Sequence, residues 1–298
     1  MVYHIPALLK ESIDGLNIQP DGIYVDVTFG GGGHSMEILK HLKNGKLIAF
    51  DQDEDAGMNI PSDKNFIFLN QNFRFLRNNL LFNDIKSIDG LIADLGVSFH
   101  QFDEPGRGFT FRQDAPLDMR MNKTGAITAA HLLNTMEESA LADFFYRYGE
   151  LANSRRIARE IVNARVAKPM ATVNDIINAV GKLAPFRQEH KFYAKLFQAL
   201  RIAVNHEIDY LKEMLEQALS VLKTGGRLVV ISYHSLEDRV VKNFMKTGNF
   251  EGEEKKDFFG NIETPFRLIN RKGTTPGDEE IALNNRARSA RLRIAEKI

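Results

Sequence analysis

The chain has 298 residues, 43% hydrophobic and 26% charged, with Lys+Arg and Asp+Glu cancelling at 39 each. That is the usage of a soluble globular protein, and every apolar run falls short of the roughly 18 residues a membrane-spanning helix needs. Cysteine is absent, which excludes disulfides, thiolate metal sites and a cysteine nucleophile.

The start, Met1-Val2-Tyr3-His4-Ile5-Pro6, carries neither a basic leader nor an apolar signal core, so the expected location is the cytoplasm. In chain order, residues 23–29, 46–51, 65–69 and 88–94 are short runs rich in Val, Ile, Leu and Phe, as buried strands are. Residues 35–42, 54–59 and 75–82 between them have helical character, and the repetition predicts a parallel sheet with helices on both faces. From about Phe102 to His206 the strand signal stops, and amphipathic helices are predicted at 137–148, 154–166, 173–182 and 190–205. Thr172 and Asp175 have the spacing of a capping box at the start of the third of these. Helix continues through 207–222, Gly225-Gly226 ends it, and 227–233 supplies another apolar strand, with strand-like 266–270 and 290–295 after it. Residues 251–263 and 270–285 are polar, glycine-containing loops. The expected fold is α/β: one sheet domain formed by 1–102 and 206–298, interrupted by an all-helical insertion over 103–205.

The zero net charge conceals an asymmetry. Residues 1–102 hold 8 Lys+Arg against 13 Asp+Glu, while 151–205 hold 10 against 3, and Arg286, Arg288, Arg291, Arg293 and Lys297 make the end basic too. An acidic body with basic surfaces suits a nucleic-acid partner, although solvated Lys/Arg helix faces would give the same count.

A predicted strand ending in Asp26 runs into Val27-Thr28-Phe29 and then Gly30-Gly31-Gly32-Gly33-His34. Four glycines carry a large entropic cost without side-chain packing, so a close backbone approach to a ligand explains them better than an ordinary turn. A helix beginning near His34 adds exposed N–H groups that favour a carboxylate or phosphate. The next strand ends in Asp51, placed to accept hydrogen bonds from both hydroxyls of a ribose. These features indicate a nucleoside cofactor. A nicotinamide dinucleotide fits the spacing loosely, because Gly30-x-Gly32-x-x-Ser35 approximates GxGxxG. Three features favour S-adenosylmethionine: Asp94 at the carboxyl edge of the fourth strand, the turn Leu222-Lys223-Thr224-Gly225-Gly226-Arg227-Leu228, and the lack of a second nucleotide-binding half.

The stretches Asp26 to His34, Gly106-Arg107-Gly108-Phe109-Thr110-Phe111, Pro116-Leu117-Asp118-Met119-Arg120-Met121, Ser232-Tyr233-His234-Ser235-Leu236-Glu237-Asp238-Arg239 and Arg286-Ala287-Arg288-Ser289-Ala290-Arg291-Leu292-Arg293 together resemble the bacterial 16S rRNA cytidine-N4 methyltransferase family, RsmH, formerly MraW. The resemblance spans essentially the whole chain in the right order. It implies a class I, Rossmann-like S-adenosylmethionine methyltransferase whose helical insertion recognises RNA, acting on a cytidine in the decoding region of the small ribosomal subunit. It also implies cofactor roles for Gly32, Gly33, His34, Asp51, Phe73, Asp94 and Gln101. One departure is Asn284-Asn285-Arg286, where family members often carry proline before the arginine.

The exocyclic amine of cytosine is a poor nucleophile because its lone pair is delocalised into the ring, so catalysis must orient and polarise it. Methylation at ring carbon C5 usually proceeds through a thiolate adduct, for which this chain has no cysteine, whereas amine methylation needs none. Other amino methyltransferases carry Asp/Asn-Pro-Pro-aromatic after the fourth strand, while this chain has Asp94-Leu95-Gly96-Val97. With Asp94 serving the cofactor, the catalytic candidates are Asp118 and His234, the latter beside Tyr233. A helix cap for His234, and an ion pair with Arg120 for Asp118, are the plain alternatives. Ser235 lacks the GxSxG elbow of a hydrolase. Phe109, Phe111 and Tyr193 are candidates for stacking on a splayed base.

The expected partner is 16S rRNA or the assembled small subunit, with no membrane and no protein-built metal site, since no HExxH, CxxC or EF-hand spacing occurs. The oligomeric state is open, a homodimer being one option. Two rivals stand beside the enzyme: a non-catalytic RNA-binding assembly factor that keeps the cofactor fold, and an NAD-dependent oxidoreductase.

Overall fold

The computed structural model describes residues 6–98, 101–102, 104–260 and 263–298. They fall into two compact units, Met1–Gly96 together with Ile208–Ile298, and Val97–Glu207.

In the first unit the strands are β1 (Ile23–Asp26), β2 (Lys46–Phe50), β3 (Phe66–Leu69), β4 (Ile88–Asp94), β5 (Leu222–Ser232), β6 (Phe266–Leu268) and β7 (Arg291–Lys297). Among the described residues they form one seven-stranded sheet in the order β3-β2-β1-β4-β5-β7-β6. β1 to β5 pair in parallel, and β7 runs antiparallel between β5 and β6. The order changes direction between β1 and β4, so the carboxyl ends of these two strands flank the switch point at which open α/β sheets bind ligands.

Side chains alternate across the sheet, and both faces are buried. Leu91 and Ala93 of β4, Leu228 and Val230 of β5 and Ala295 of β7 join one core. Helices α3 (Leu76–Phe82), α9 (Glu207–Val221) and α10 (Ser235–Thr247) cover that face through residues such as Leu80, Leu215 and Phe244. Ile92, Val229, Ile231 and Leu292 face the other way, against Ile13 and Leu16 of α1 (Leu9–Leu16) and Ile38 of α2 (Gly33–His41). Burial on two faces explains why the strands read as continuous apolar runs.

Three local readings differ from the sequence expectation. Residues Glu54–Asn59 form a 3-10 helix, opened by Asp53 Oδ1 accepting from Asp55 N at 3.2 Å. Gly57 inside it and Pro61 after it deny the run a longer α-helix. The Gly225-Gly226 turn lies inside β5 as a bulge: Ile88 pairs with Leu222, then Gly90 with Arg227. Gly225 carries the positive φ (82°) that lets the extra residues loop out. Finally, the expected loop at 270–285 contains a short helix, α11 (Asp278–Leu283), tied down by Glu280 Oε1 accepting from Leu8 N at 2.7 Å.

The second unit is helical: α4 (Ala129–Thr135), α5 (Glu138–Gly149), α6 (Ser154–Ala167), α7 (Val173–Val180) and α8 (Glu189–Asn205). It has a core of its own, with Leu133, Leu141, Phe145, Ile157, Ile161, Ile176, Leu196 and Leu200 all fully buried. The capping box forms as the sequence predicts, Thr172 Oγ1 accepting from Asp175 N and Asp175 Oδ2 from Thr172 N.

Candidate active site

β1 ends in Asp26, a buried carboxylate with three hydrogen bonds. Its Oδ1 accepts from the backbone N (3.0 Å) and hydroxyl (3.4 Å) of Thr28, and its Oδ2 from Ser35 Oγ at 2.7 Å. Asp26 therefore clamps both ends of the glycine loop, tying the strand to the first turn of α2. Gly30 and Gly32 adopt positive φ (50° and 77°), the left-handed region that glycine enters without a Cβ penalty. Gly30 N donates to Asp51 Oδ2 at 2.7 Å, which couples the loop to the end of β2. A Cβ on Gly33 would sit 2.2 Å from Pro6 Cγ, so that glycine is a packing requirement.

Asp51 also accepts from Asp53 N, through Oδ1 at 2.9 Å. Burial pushes its carboxyl up to about 6 against the lowering effect of these two backbone bonds. Asp94, at the end of β4, is pushed up to about 7, chiefly by burial, with Tyr233's hydrogen bond opposing and the charges of Asp26 and Glu237 adding to the rise. Tyr233 Oη donates to Asp94 Oδ1 at 2.8 Å, and Asp94 N donates to Thr28 Oγ1 at 2.6 Å. His34 Nδ1 lies 3.8 Å from Asp94 Oδ2. Burial drives His34 down to about 4 despite a backbone bond to Ala7, so near neutrality its imidazole is uncharged. Phe73 opens the 3-10 turn Phe73–Phe75, half-buried against the sheet core. That turn is held to the β2 end by Asn72 Nδ2 donating to Gln52 Oε1 (2.7 Å) and Asn70 Nδ2 donating to the Asp51 carbonyl (3.0 Å).

Gly32, Gly33, His34, Asp51, Phe73 and Asp94 thus all belong to the first unit, at or just beyond the carboxyl ends of β1 to β4. The group they suit is a nucleoside with an anionic or amino-acid tail, on two observations. A Cβ built on Gly31 meets no atom within 4 Å, so open space lies against the loop where a ligand would rest. His34 Nε2 is buried without a hydrogen-bond partner, a polar atom awaiting one.

Gln101 and Asp118 belong to the second unit. Gln101 is buried, its Oε1 accepting from Ser98 N at 3.1 Å. Asp118 lies in a knot formed by the 106–111 and 116–121 stretches. Gly108 has φ 69°, and a Cβ there would lie 2.2 Å from the Pro116 carbonyl oxygen; Arg107 is buried and donates to the carbonyls of Arg120 (2.8 Å) and Met121 (3.1 Å). Arg120 grips Asp118 with two parallel bonds, Nε to Oδ1 (2.8 Å) and Nη2 to Oδ2 (2.7 Å). Partial burial pushes the Asp118 carboxyl up, but the bonds and charge of Arg120 outweigh it and hold it below the ordinary range. Phe109, offered above as a stacking residue, is buried in the core of this unit. Phe111 packs edge-on against His190 and Phe197.

His234 is the N-cap of α10, its Nδ1 accepting from Glu237 N at 3.4 Å, and its Nε2 stands 3.1 Å from Glu237 Oε1. Glu237 Oε2 accepts from Tyr233 N at 2.9 Å, so the Tyr233-His234 turn is fixed by the helix it precedes. Arg293 of β7 binds Asp238 through both carboxylate oxygens (2.6 and 3.0 Å), joining the 232–239 and 286–293 stretches. Asn284 Oδ1 accepts from Arg286 N at 3.2 Å and caps the 3-10 turn Asn285–Ser289. Sequence reasoning missed Thr28 and Ser35 as the struts of the loop and Tyr233 as Asp94's donor. A hydroxyl two residues after Asp26 was a readable sign of a side-chain turn; the Tyr233–Asp94 bond, 139 residues apart, left no local signal.

A parallel sheet with this strand order and reversed β7, a glycine loop after β1 and acidic groups after β2 and β4 defines a class I, Rossmann-like methyltransferase whose methyl donor is S-adenosylmethionine. The profile of the MraW methylase family matches residues 1–298. The chain is 58% identical over 296 residues to ribosomal RNA small subunit methyltransferase H of Bacteroides fragilis, covering 99% of this chain and 97% of that one. It is 56% identical to the enzyme of the same name from Flavobacterium johnsoniae, at 100% and 99% coverage. The chain belongs to the MraW methylase family. Among solved structures, an rRNA methylase from Streptococcus thermophilus aligns with TM-score 0.43 and 14% identity over 99% of this chain and 98% of that one. A putative methyltransferase from Streptococcus mutans in complex with SAH aligns at 0.44 and 14%, covering 99% of each. Among the described residues no helix is long and apolar enough to cross a membrane.

Proposed function

We propose that the protein transfers a methyl group from S-adenosylmethionine to the N4 amine of a cytidine in the decoding region of 16S rRNA, in the small ribosomal subunit. The observation that carries this is end-to-end likeness, above half identity, to relatives named ribosomal RNA small subunit methyltransferase H. The amine as target is what the family resemblance implies, and the absence of cysteine agrees with it, since the thiolate adduct used at C5 has no nucleophile here and an amine needs none.

When bound, S-adenosylmethionine supplies a sulfonium-activated methyl that is open to in-line attack. Asp51 holds the ribose hydroxyls with the oxygen lone pairs left over from Gly30 and Asp53. By the family resemblance Gly32, Gly33 and His34 would receive the amino-acid tail, Phe73 would stand beside the adenine, and Asp94 and Gln101 would complete the binding set. Asp118 is an acceptor for an amine N–H rather than the destination of the proton, because Arg120 keeps it ionised; as the N–CH3 bond forms and the S–CH3 bond breaks, the amine's proton leaves to solvent water. His234, its Nδ1 bonded to the Glu237 N–H and its Nε2 beside the Glu237 carboxylate, is the second catalytic candidate, its ring held in place by that glutamate. The helical unit contacts rRNA phosphates with its exposed arginines, and the protein works in the cytoplasm, where that substrate is. The test is mass spectrometry of 16S rRNA nucleosides from cells with and without the gene. Loss of one N4-methylated cytidine is expected; an unchanged methylation pattern refutes the reading.

A further inference from the structure

Phe82, Phe186, Phe258 and Phe259 are among the large apolar side chains exposed on the described surface. Phe186, 82% exposed, has a neighbour that makes chemical sense of it: the Arg187 guanidinium carbon lies 5.2 Å from its ring centroid. Both are displayed by a built turn. Gln188 N donates to the Pro185 carbonyl at 2.9 Å, closing the turn around Phe186 and Arg187, and Arg187 N donates to Glu189 Oε1 at 3.1 Å. Arg187 sits at φ 60°, a region uncommon for a residue with a Cβ. On one side the turn is anchored by the 3-10 helix Gly181–Leu183, whose Leu183 is buried, and on the other by the seventeen-residue α8. The backbone is thus over-determined while the ring it carries touches little.

The charge around the turn selects among ligands. Lys182, Arg187, Lys191 and Lys195 face a single acid, Glu189, over residues 181–195, and the first three are exposed. Arg187 and Lys191 make no ion pair among the described residues, whereas Lys182 is paired with Glu160 and Lys195 reaches Glu150. An apolar protein partner would gain little from such a rim. A polyanion with flat π-faces would use every part of it.

We propose that Phe186 and Arg187 form a stacking clamp for one unpaired nucleotide of the RNA substrate: the base lies on the Phe186 ring and the Arg187 guanidinium bonds the adjoining phosphate. Every base has a π-face and every nucleotide a phosphate, so the clamp reads single-strandedness rather than sequence. Duplex RNA, whose bases are covered by their stacked neighbours, is not a ligand for it. The inference rests on the rRNA reading above for its biological substrate, but its chemistry is testable without it.

The experiment measures binding of a fluorescent single-stranded RNA oligonucleotide and a duplex of the same composition to the full chain, alongside methyl transfer to small subunits purified from cells lacking the gene. Phe186→Ala should weaken single-strand binding by about 5- to 150-fold, the range for losing one base–aromatic stack. Duplex binding and the melting temperature should not move. Phe186→Trp should restore single-strand binding. Arg187→Ala should lower the slope of log K against log salt by about one. Single-strand affinity unchanged in Phe186→Ala, or duplex affinity falling equally, overturns the clamp. A wild-type protein that transfers no methyl to small subunits overturns the proposed function, and leaves the clamp to be decided by the oligonucleotide titrations alone.

Discussion

Asp51 and Asp94 do opposite things for stability and for binding. Each carboxyl is buried enough to be pushed up, to about 6 and about 7, so the folded state holds those protons more tightly than the unfolded chain does. A raised carboxyl contributes stability that is fully present below the unfolded value and is lost as pH rises through the folded one. For Asp94 the window is therefore from roughly pH 4 to pH 7. Asp94→Asn removes that loss while leaving an oxygen to accept from Tyr233. The variant should melt several degrees above wild type at pH 8, the gap closing towards pH 4 in calorimetric scans, and it should bind S-adenosylmethionine more weakly. A gap that widens on acidification would show the burial argument to be wrong. Asp51→Ala deletes the partner of Gly30 and Asp53 as well as the ribose acceptor. Hydrogen bonds to charged groups are worth about 1.5–3 kcal/mol, so isothermal titration should show affinity for S-adenosylmethionine falling at least tenfold, with a lower melting temperature.

Within the glycine loop, neighbouring positions separate packing from binding. Gly33→Ala places a methyl 2.2 Å from Pro6 Cγ and should cost about 1–3 kcal/mol of stability, the range for overpacking. Gly31→Ala places one in open space, so its melting temperature should stay within a degree or two of wild type while S-adenosylmethionine affinity collapses. Thermal denaturation and titration calorimetry on the pair decide the matter; equal effects on both readouts would mean that the space at Gly31 is not the ligand's. This loop was the most legible part of the sequence, because four glycines between a strand and a helix have few physical excuses. The β strands were legible for a related reason, burial on both faces. What stayed hidden were elements too short for periodicity, such as α11, and interactions without local grammar, such as Arg293 with Asp238. The local sequence did offer the ion pair of Asp118 with the arginine two residues on and the helix cap at His234, both of which form, whereas the catalytic roles of these two residues were legible chiefly through family resemblance.

For the molecule as a whole, the net charge of zero is a poor guide and the distribution a better one. Pairing with acids outside the segment offsets part of the positive excess read from 151–205, Arg159 with Glu138 and Arg201 with Glu207, while Lys168 with Asp175 and Lys182 with Glu160 are pairs already inside that count. Arg155 and Arg156 on α6 are exposed and make no ion pair among the described residues. Arg155→Glu with Arg156→Glu should weaken binding to small-subunit rRNA and lower the salt slope by about one for each phosphate no longer neutralised, with S-adenosylmethionine affinity untouched. A salt slope equal to wild type in filter-binding or fluorescence titrations would remove α6 from the RNA surface.

The pairing of β4 with β5 has a consequence for how the protein is made. More than a hundred residues separate the two strands, and the whole helical unit is synthesised between them. While that unit emerges from the ribosome, β4 ends the nascent sheet with its far edge unpaired, an open template for the wrong strand. Early folding of the helical unit around its own core would shorten the effective loop, because chain-closure entropy grows with the flexible length alone. Mutations that loosen that core should therefore show up as aggregation during synthesis, with the purified survivors still binding their methyl donor normally.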